Sequence, residues 1–553
     1  MRRFATPFAT LLATLLGADA YALETTPTYT PEPVYCADNG RTLCRILPSF
    51  IGPDPALASS VGYDGLTNDV TSPANDVQTP FDNMAWQMFV ALNWQAATSG
   101  SDPKAGLSGA GPAVWQTWSR PEDVFGSPAP ACANPDNLPR FNLIAKSDAQ
   151  HFDEEFLQAT GQPLIDENGN WTLFERRLNE VEKEYILSNG LDSLAGQQVF
   201  ANAGKQVEFP VGAMSVPPTG APGAIEIKAA WRIIDDSQRA EFFSQRALLD
   251  VEGAYVSDGQ PLCQEVTLGL VGLHLIQNNG EQGNLLPQFI WASFEHEDNA
   301  PFAAKACDAT DNGCYTRIAA NHCPVAPDQS GTFSFWNAAC TAAGVNQPPA
   351  LQAGQKEYLW QRTPPYAGGY TTQQGDTQCG TQVSHCWQVY ELTQQLNTAW
   401  RAQLATLGSV FKNYYLIGTN WGGNIEPRSS PVVNGSVPAF LANGTMETYI
   451  QADPVNGNCV DCHKNATLAY EKPGSGTQPA TTYAAGFSFL LGLATKTCID
   501  IQAGPIWNGG AAGTACPKAC GTVDLQWNGQ WTTTQPGVMS VCGCCLPAAA
   551  KTP

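Results

Sequence analysis

Apolar and polar positions along this chain follow two rhythms. From Phe81 to Trp94 the sequence FDNMAWQMFVALNW spaces its apolar residues like a helix buried on most sides. The three-and-four spacing returns at Val389, Leu392, Leu396, Trp400, Leu404 and Leu407, and Gly408 follows as a stop, which predicts an amphipathic helix. Residues 265–277 (EVTLGLVGLHLIQ) and 288–297 (QFIWASFEHE) are short apolar runs around a loop holding Asn278, Asn279, Gly280 and Gly283, the pattern of a β-hairpin. Pairing about the middle of that loop would set His274 and His296 opposite each other on one face, because strand side chains alternate. Residues 171–187 predict a short strand and then a charged helix, and 411–421 a strand; 438–451 and 486–494 predict two short helices around 459–463. Within the charged stretch, Glu180, Glu182 and Glu184 lie near Arg176, Arg177 and Lys183 and read as a solvated face.

Composition narrows the class. Met1-Arg2-Arg3, the apolar run to Gly17 and the small-residue end Ala20-Tyr21-Ala22 form a secretory signal, cleaved after Ala22, and residues 23–35 are a Pro/Thr-rich linker. That run is too short for a membrane span, and no other stretch approaches spanning length. A net charge of −22 spread along the chain argues against nucleic acid or an anionic membrane as partner. Eighteen cysteines point to an oxidising compartment, periplasmic or extracellular. Close neighbours are candidates for small-loop bridges: Cys36 with Cys44, Cys307 with Cys314, Cys323 with Cys340, and Cys379 with Cys386.

Cys459-Val460-Asp461-Cys462-His463 has the Cys-x-x-Cys-His spacing of c-type haem attachment, in which two thiols bond the macrocycle and the adjacent imidazole of His463 reaches the iron. A redox dithiol or a zinc half-site are the competing readings; the βαβ context of the first and a second ligand pair for the second are both missing from the sequence. For the sixth iron position the candidates are Met446, His274 and His296; Met539 falls in a different, cysteine-rich tail. His274 and His296 sit in apolar strands where an imidazole needs a partner, so either one closes the iron or stands over it as an acid/base group. His151, among acids, and His322 and His385, each beside a cysteine, read as surface residues.

From Cys498 to Cys545 the composition shifts to Gly, Trp, Thr and six cysteines, which places a domain boundary near Thr495; about fifty residues bury little core, and three disulfides would compensate. The stretches Ala503-Gly504-Pro505-Ile506-Trp507 and Gly529-Gln530-Trp531-Thr532-Thr533, followed by Met539-Ser540-Val541, resemble the cyanobacterial mannan-binding lectin type. The resemblance implies binding of mannose- and N-acetylglucosamine-containing glycan, with Trp507, Gln530, Trp531, Thr532 and Thr533 as carry-over positions. Its cysteines depart from that cysteine-poor lectin. The stretches FVALNW, NEVEKEYI, FEHEDNAP and CVDCH are similar to uncharacterised bacterial secreted proteins that end in a single haem c motif, a likeness that brings no established activity.

The expected architecture is α+β: a mixed scaffold over 36–435, a small helical, cytochrome c-like haem segment over 436–494, and a disulfide-rich α/β lectin-like domain over 496–546. The leading function is electron transfer with a redox partner protein at a glycan or cell surface. A haem-dependent peroxidase or oxygenase using His274 and His296, and a glycan adhesin with structural haem, remain open beside it.

Overall fold

The computed structural model describes residues 33, 35–37, 42–49 and 79–547, apart from 101, 127–129, 144–154, 159, 213–220, 280–288, 308–330, 341–343, 372–378, 423–435, 438–439, 452, 454–456 and 475–478. The secretory signal, His151 and His322 lie outside the described residues.

Helix α1 (Thr79–Leu92) is buried along most of its length, as its dense apolar spacing requires. Strands β1 (Arg140–Leu143) and β2 (Leu173–Leu178) follow, then helices α2 (Glu180–Ser188) and α3 (Leu194–Asn202). Next come β3 (Ile225–Ile233), β4 (Ser244–Val251), β5 (Leu262–Asn278) and β6 (Phe289–His296). Helix α4 (Glu391–Thr406) and strands β7 (Tyr414–Gly422) and β8 (Ser436–Val437) complete the scaffold. The eight strands form one mixed sheet in the order β8-β7-β6-β5-β3-β2; β4 pairs with the first half of β5, and β1 lies parallel to β4. The fold is thus mixed α and β, with β5 long enough to pair different strands along its two halves.

One face of the sheet is covered by α1 and α4. Trp86 stacks on Trp400 at 5.7 Å between ring centroids, and each indole N–H donates to an amide of the other helix, Trp86 to Asn397 and Trp400 to Asn83. Buried tryptophans need such acceptors, and the Asn residues of both helices supply them. Gly408, at φ +67°, ends the last turn after α4, the conformation that favours glycine.

Several expectations need correction. His274 faces Ser293 across the β5–β6 ladder, while Gly272 faces Glu295; that register places His274 and His296 on opposite faces of the sheet. In α2, Glu180 and Glu184 meet solvent, but Glu182 is fully buried. His385 is buried too: its ring tilts against Phe302, and its Nε2 lies 3.4 Å from a carboxylate oxygen of Glu295. Cys340 bridges Cys379 instead of Cys323, and Cys379 is therefore not joined to Cys386. The reason is local: the Asn337 N–H donates to the Gln382 side chain, which lays the two segments side by side. A further bridge, Cys132–Cys263, ties the segment before β1 to β5.

The C-terminal domain is a three-stranded antiparallel sheet, β9 (Cys498–Gly504), β11 (Met539–Cys545) and β10 (Gln526–Gln535), packed on helix α5 (Gly509–Gly521). Its three bridges, Cys498–Cys545, Cys516–Cys542 and Cys520–Cys544, supply the support that so small a core needs. The domain docks on α3, where Ala195 enters its apolar core and Gln198 and Asn202 donate to Asp524.

Candidate functional site

The second face of the main sheet carries the cysteine–histidine segment. Among the described residues around it only Cys459–His463 is α-helical; Thr448–Ile450 and Phe489–Leu493 are single 3₁₀ turns, so the segment is not the small helical unit expected from its sequence. It is seated by the scaffold: Val460, Ala466, Leu468 and Leu490 share a core with Leu178, Ile276, Phe289 and Trp291. Asn458 caps the short helix by accepting from the Asp461 N–H, and the Asn420 side chain of β7 accepts from the Val460 N–H. Asp461, itself buried, accepts from Asn458 Nδ2 and pairs with Lys464 at 2.7 Å.

Cys459 and Cys462 are the two unbridged cysteines among those whose side chains are described. Three residues apart on one helical turn, their sulfurs emerge on one side. Burial pushes the Cys459 thiol well above its ordinary range and Cys462 to about 11, the opposite of an activated dithiol.

His463 sits between aromatic rings, 5.6 Å from Trp291 and 5.0 Å from Phe489. Its Nδ1 lies 2.8 Å from the Phe487 carbonyl, which fixes the tautomer with the proton on Nδ1 and leaves Nε2 as a free donor of its lone pair. Phe487 holds φ +72° immediately after Gly486 at +58°, a backbone turn that presents this carbonyl to the imidazole. Burial lowers the His463 pKa to about 4 against the opposing pull of the Phe487 carbonyl, so the ring is neutral at ordinary pH.

A charged array lies on the same face. Lys228 of β3 faces His274 of β5 across the ladder, and both reach Glu447, Lys228 at 3.6 Å and His274 at 3.3 Å. Burial pushes the Glu447 carboxyl up, but His274, Lys228 and the Asn443 N–H together bring it down to about 2. The loop carrying Glu447 is held from behind by Glu295, which accepts from the Gly444 N–H at 2.6 Å. The buried indole N–H of Trp291, on the same face, is without a hydrogen-bond partner. The charges of Lys228, His274 and Glu447 all act on His463. Nearby, Glu226 meets Glu182 and accepts from Ser488, the residue after Phe487.

The remaining candidates separate. His296 stacks on Phe242 at 4.0 Å and its Nε2 lies 3.0 Å from the Glu241 carbonyl, on the face opposite His274; burial lowers its pKa to about 4. Met446 is fully buried in the cluster of Phe174, Ala230 and Val271, distinct from the one around Cys459. Sequence reasoning missed Lys228, Glu295 and Glu447. Alternation on β3 carried a signal for Lys228, a lone cation between Ile227 and Ala229, whereas Glu447 sits in a loop with no periodicity to mark it.

In the C-terminal domain Trp507 is 73% exposed, beside the hairpin tip at Gly537. Gln530, Thr532 and Thr533 are exposed, and Trp531 packs partly against the helix-side core. Pairing of Trp531 with Cys542 and of Thr532 with Val541 puts those neighbours on opposite faces, so the five carry-over positions are not one continuous surface. Residues 510–544 match the family model described as mannan-binding protein. No curated protein and no solved structure matches the chain.

Proposed function

We propose that this chain is an exported c-type haem protein that transfers electrons to or from a redox partner at a glycan-bearing surface. Cys459 and Cys462 would hold the haem covalently and His463 would ligate its iron from Nε2. The observation that carries the reading is the pairing of two unbridged thiols on one helical turn with an imidazole whose Nδ1 is already committed to a backbone carbonyl. Disulfides occupy the other described cysteines, which supports a reserved role for these two. Haem supplies a one-electron iron couple; the chain's own residues seat it, exclude water with Trp291, Phe487 and Phe489, and fix the proximal ring. The buried N–H of Trp291, without a hydrogen-bond partner, fits a polar group beside it better than an apolar filling.

Carbohydrate binding by the C-terminal domain rests on the mannan-binding match and on the exposed Trp507, whose ring suits stacking on a sugar's C–H face. Mannose- and N-acetylglucosamine-containing glycans are the proposed ligands. The bridged cysteines accord with an oxidising compartment, and among the described residues no helix is long and apolar enough to cross a membrane.

A second reading, a haem-dependent peroxidase or oxygenase, is favoured by one observation: His274, 5% exposed, lies against Glu447, itself paired with Lys228, as an acid/base group would. Spectra of the purified protein decide between the two. A low-spin ferric haem that does not take up carbon monoxide after reduction is expected for the carrier; a high-spin haem that binds it rapidly overturns that role in favour of the enzyme.

A further inference from the structure

Outside this site, a cleft of about 440 Å³ opens between the turn at Glu167–Gly169 and two short strand pairs, Ala350–Leu351 with Tyr370–Thr371 and Leu359–Trp360 with Ala367–Gly368. That is within the roughly 300–1,000 Å³ of small-molecule sites. Its walls carry Glu167, Asn168, Gln352, Gln361 and Tyr370, with Pro365 at the rim.

The polar groups are held in place. Glu167 accepts from Gln382 Nε2 at 2.6 Å and from the Asn337 side chain, and the Cys340–Cys379 bridge ties together the segments that bear those donors. Gln361 accepts from Ser257 at 3.0 Å, and its amide nitrogen lies over Gly368, where an added Cβ would stand 2.3 Å away. Gly169, at φ +75°, lets Pro365 close to a distance at which a Cβ would collide, 2.7 Å from the proline Cβ. Substitution at either glycine would therefore fill or distort the wall.

Chemistry selects the ligand. Three carboxamides and one carboxyl offer donors and acceptors in near balance, and no lysine or arginine is among the lining residues. An anionic ligand finds no counter-charge there, and a divalent cation finds a single carboxylate where it needs several oxygen ligands. A neutral molecule dense in hydroxyls, each able to donate and accept, satisfies the set. We propose that this cleft is a second carbohydrate site, taking a neutral mono- or disaccharide unit whose hydroxyls pair with Glu167, Asn168, Gln352 and Gln361. Burial pushes the Glu167 carboxyl up to about 7, so it donates as well as accepts near neutral pH. Together with the C-terminal domain, such a site makes the chain a two-point glycan binder.

The test uses the full-length, haem-loaded protein carrying Trp507→Ala and Gln530→Ala, which disables the proposed tail site. Saturation-transfer NMR is run with mannobiose, chitobiose, cellobiose and maltose, and with a sialylated disaccharide as the anionic comparison. Transfer to at least one neutral sugar is expected in this background, with about a tenfold weaker Kd on adding Gln361→Leu or, at an exposed position that leaves folding intact, Asn168→Ala. Absence of transfer to every neutral sugar overturns the proposal, as does transfer unchanged by both added variants or seen with the anionic sugar alone. Glycan binding by the chain that keeps Trp507 and Gln530 and carries Gln361→Leu with Asn168→Ala reports on the tail separately.

Discussion

Glu182 shows how one residue can escape a pattern. Its neighbours Glu180 and Glu184 are solvated, but Glu182 is turned inward against Glu226, and burial together with the second carboxyl drives its pKa well above the ordinary carboxylate value. Glu155 and Glu167, raised by burial to about 8 and about 7, act in the same direction. A carboxyl raised in the folded state binds more protons there than in the unfolded chain, so its contribution is complete at low pH and is lost as pH climbs from about 4.5 through the folded pKa. Glu447, brought to about 2, and His296, lowered to about 4, work the other way: Glu447 loses its contribution as pH falls from about 4.5 toward 2, and His296 as it falls from about 6.5 toward 4. Glu182→Gln should therefore flatten the fall in Tm as pH climbs above about 4.5, relative to the unaltered protein. Parallel Tm curves would show that the pair carries no such linkage. Cys459, Cys462 and His463 could be singled out as candidates because the motif fixes spacing within five residues, whereas Glu182 and Glu226 meet only through tertiary packing between α2 and β3.

At the scale of elements, helices α1 and α4 and the β5–β6 hairpin follow the periodicity of their sequences, since each buries a face that repeats along the chain. Register was beyond reach. The turn between β5 and β6 gives no count of paired residues, and the actual ladder moves His296 to the face opposite His274. The helices expected on either side of Cys459–His463 shrink to single 3₁₀ turns because that segment gets its order from the sheet beneath, not from its own hydrogen bonds. Gly272 marks the tightest point of that contact: an added Cβ would lie 2.4 Å from Thr445 Oγ1 and 3.0 Å from Met446 Cε. Gly272→Ala is expected to push the 443–447 loop off the sheet and to cost about 1–3 kcal/mol in urea unfolding, with a weakened hold on Glu447. An unfolding midpoint equal to that of the parent would mean the loop adjusts freely.

Across the whole molecule, the scaffold and the C-terminal domain share one chain and touch through α3. The C-terminal domain was recognisable from composition and from the two Trp-containing stretches, and its match to the mannan-binding family covers residues 510–544. The stretches by which the scaffold resembles uncharacterised secreted proteins carried no fold with them, and an eight-stranded mixed sheet with long-range pairing leaves little local trace. Long-range disulfides compensate: Cys132–Cys263 spans 131 residues, and Cys132→Ser with Cys263→Ser should lower stability by about 4–5 kcal/mol if chain entropy governs the bridge. A loss below about 1 kcal/mol in denaturant unfolding would assign that constraint to the sheet alone. The haem assignment is tested most directly by intact-mass measurement after acid–acetone extraction of protein matured in a host competent for cytochrome assembly. One haem retained per chain, and lost in Cys459→Ala with Cys462→Ala, is the expected result; an unaltered chain with the bare polypeptide mass and no colour contradicts it.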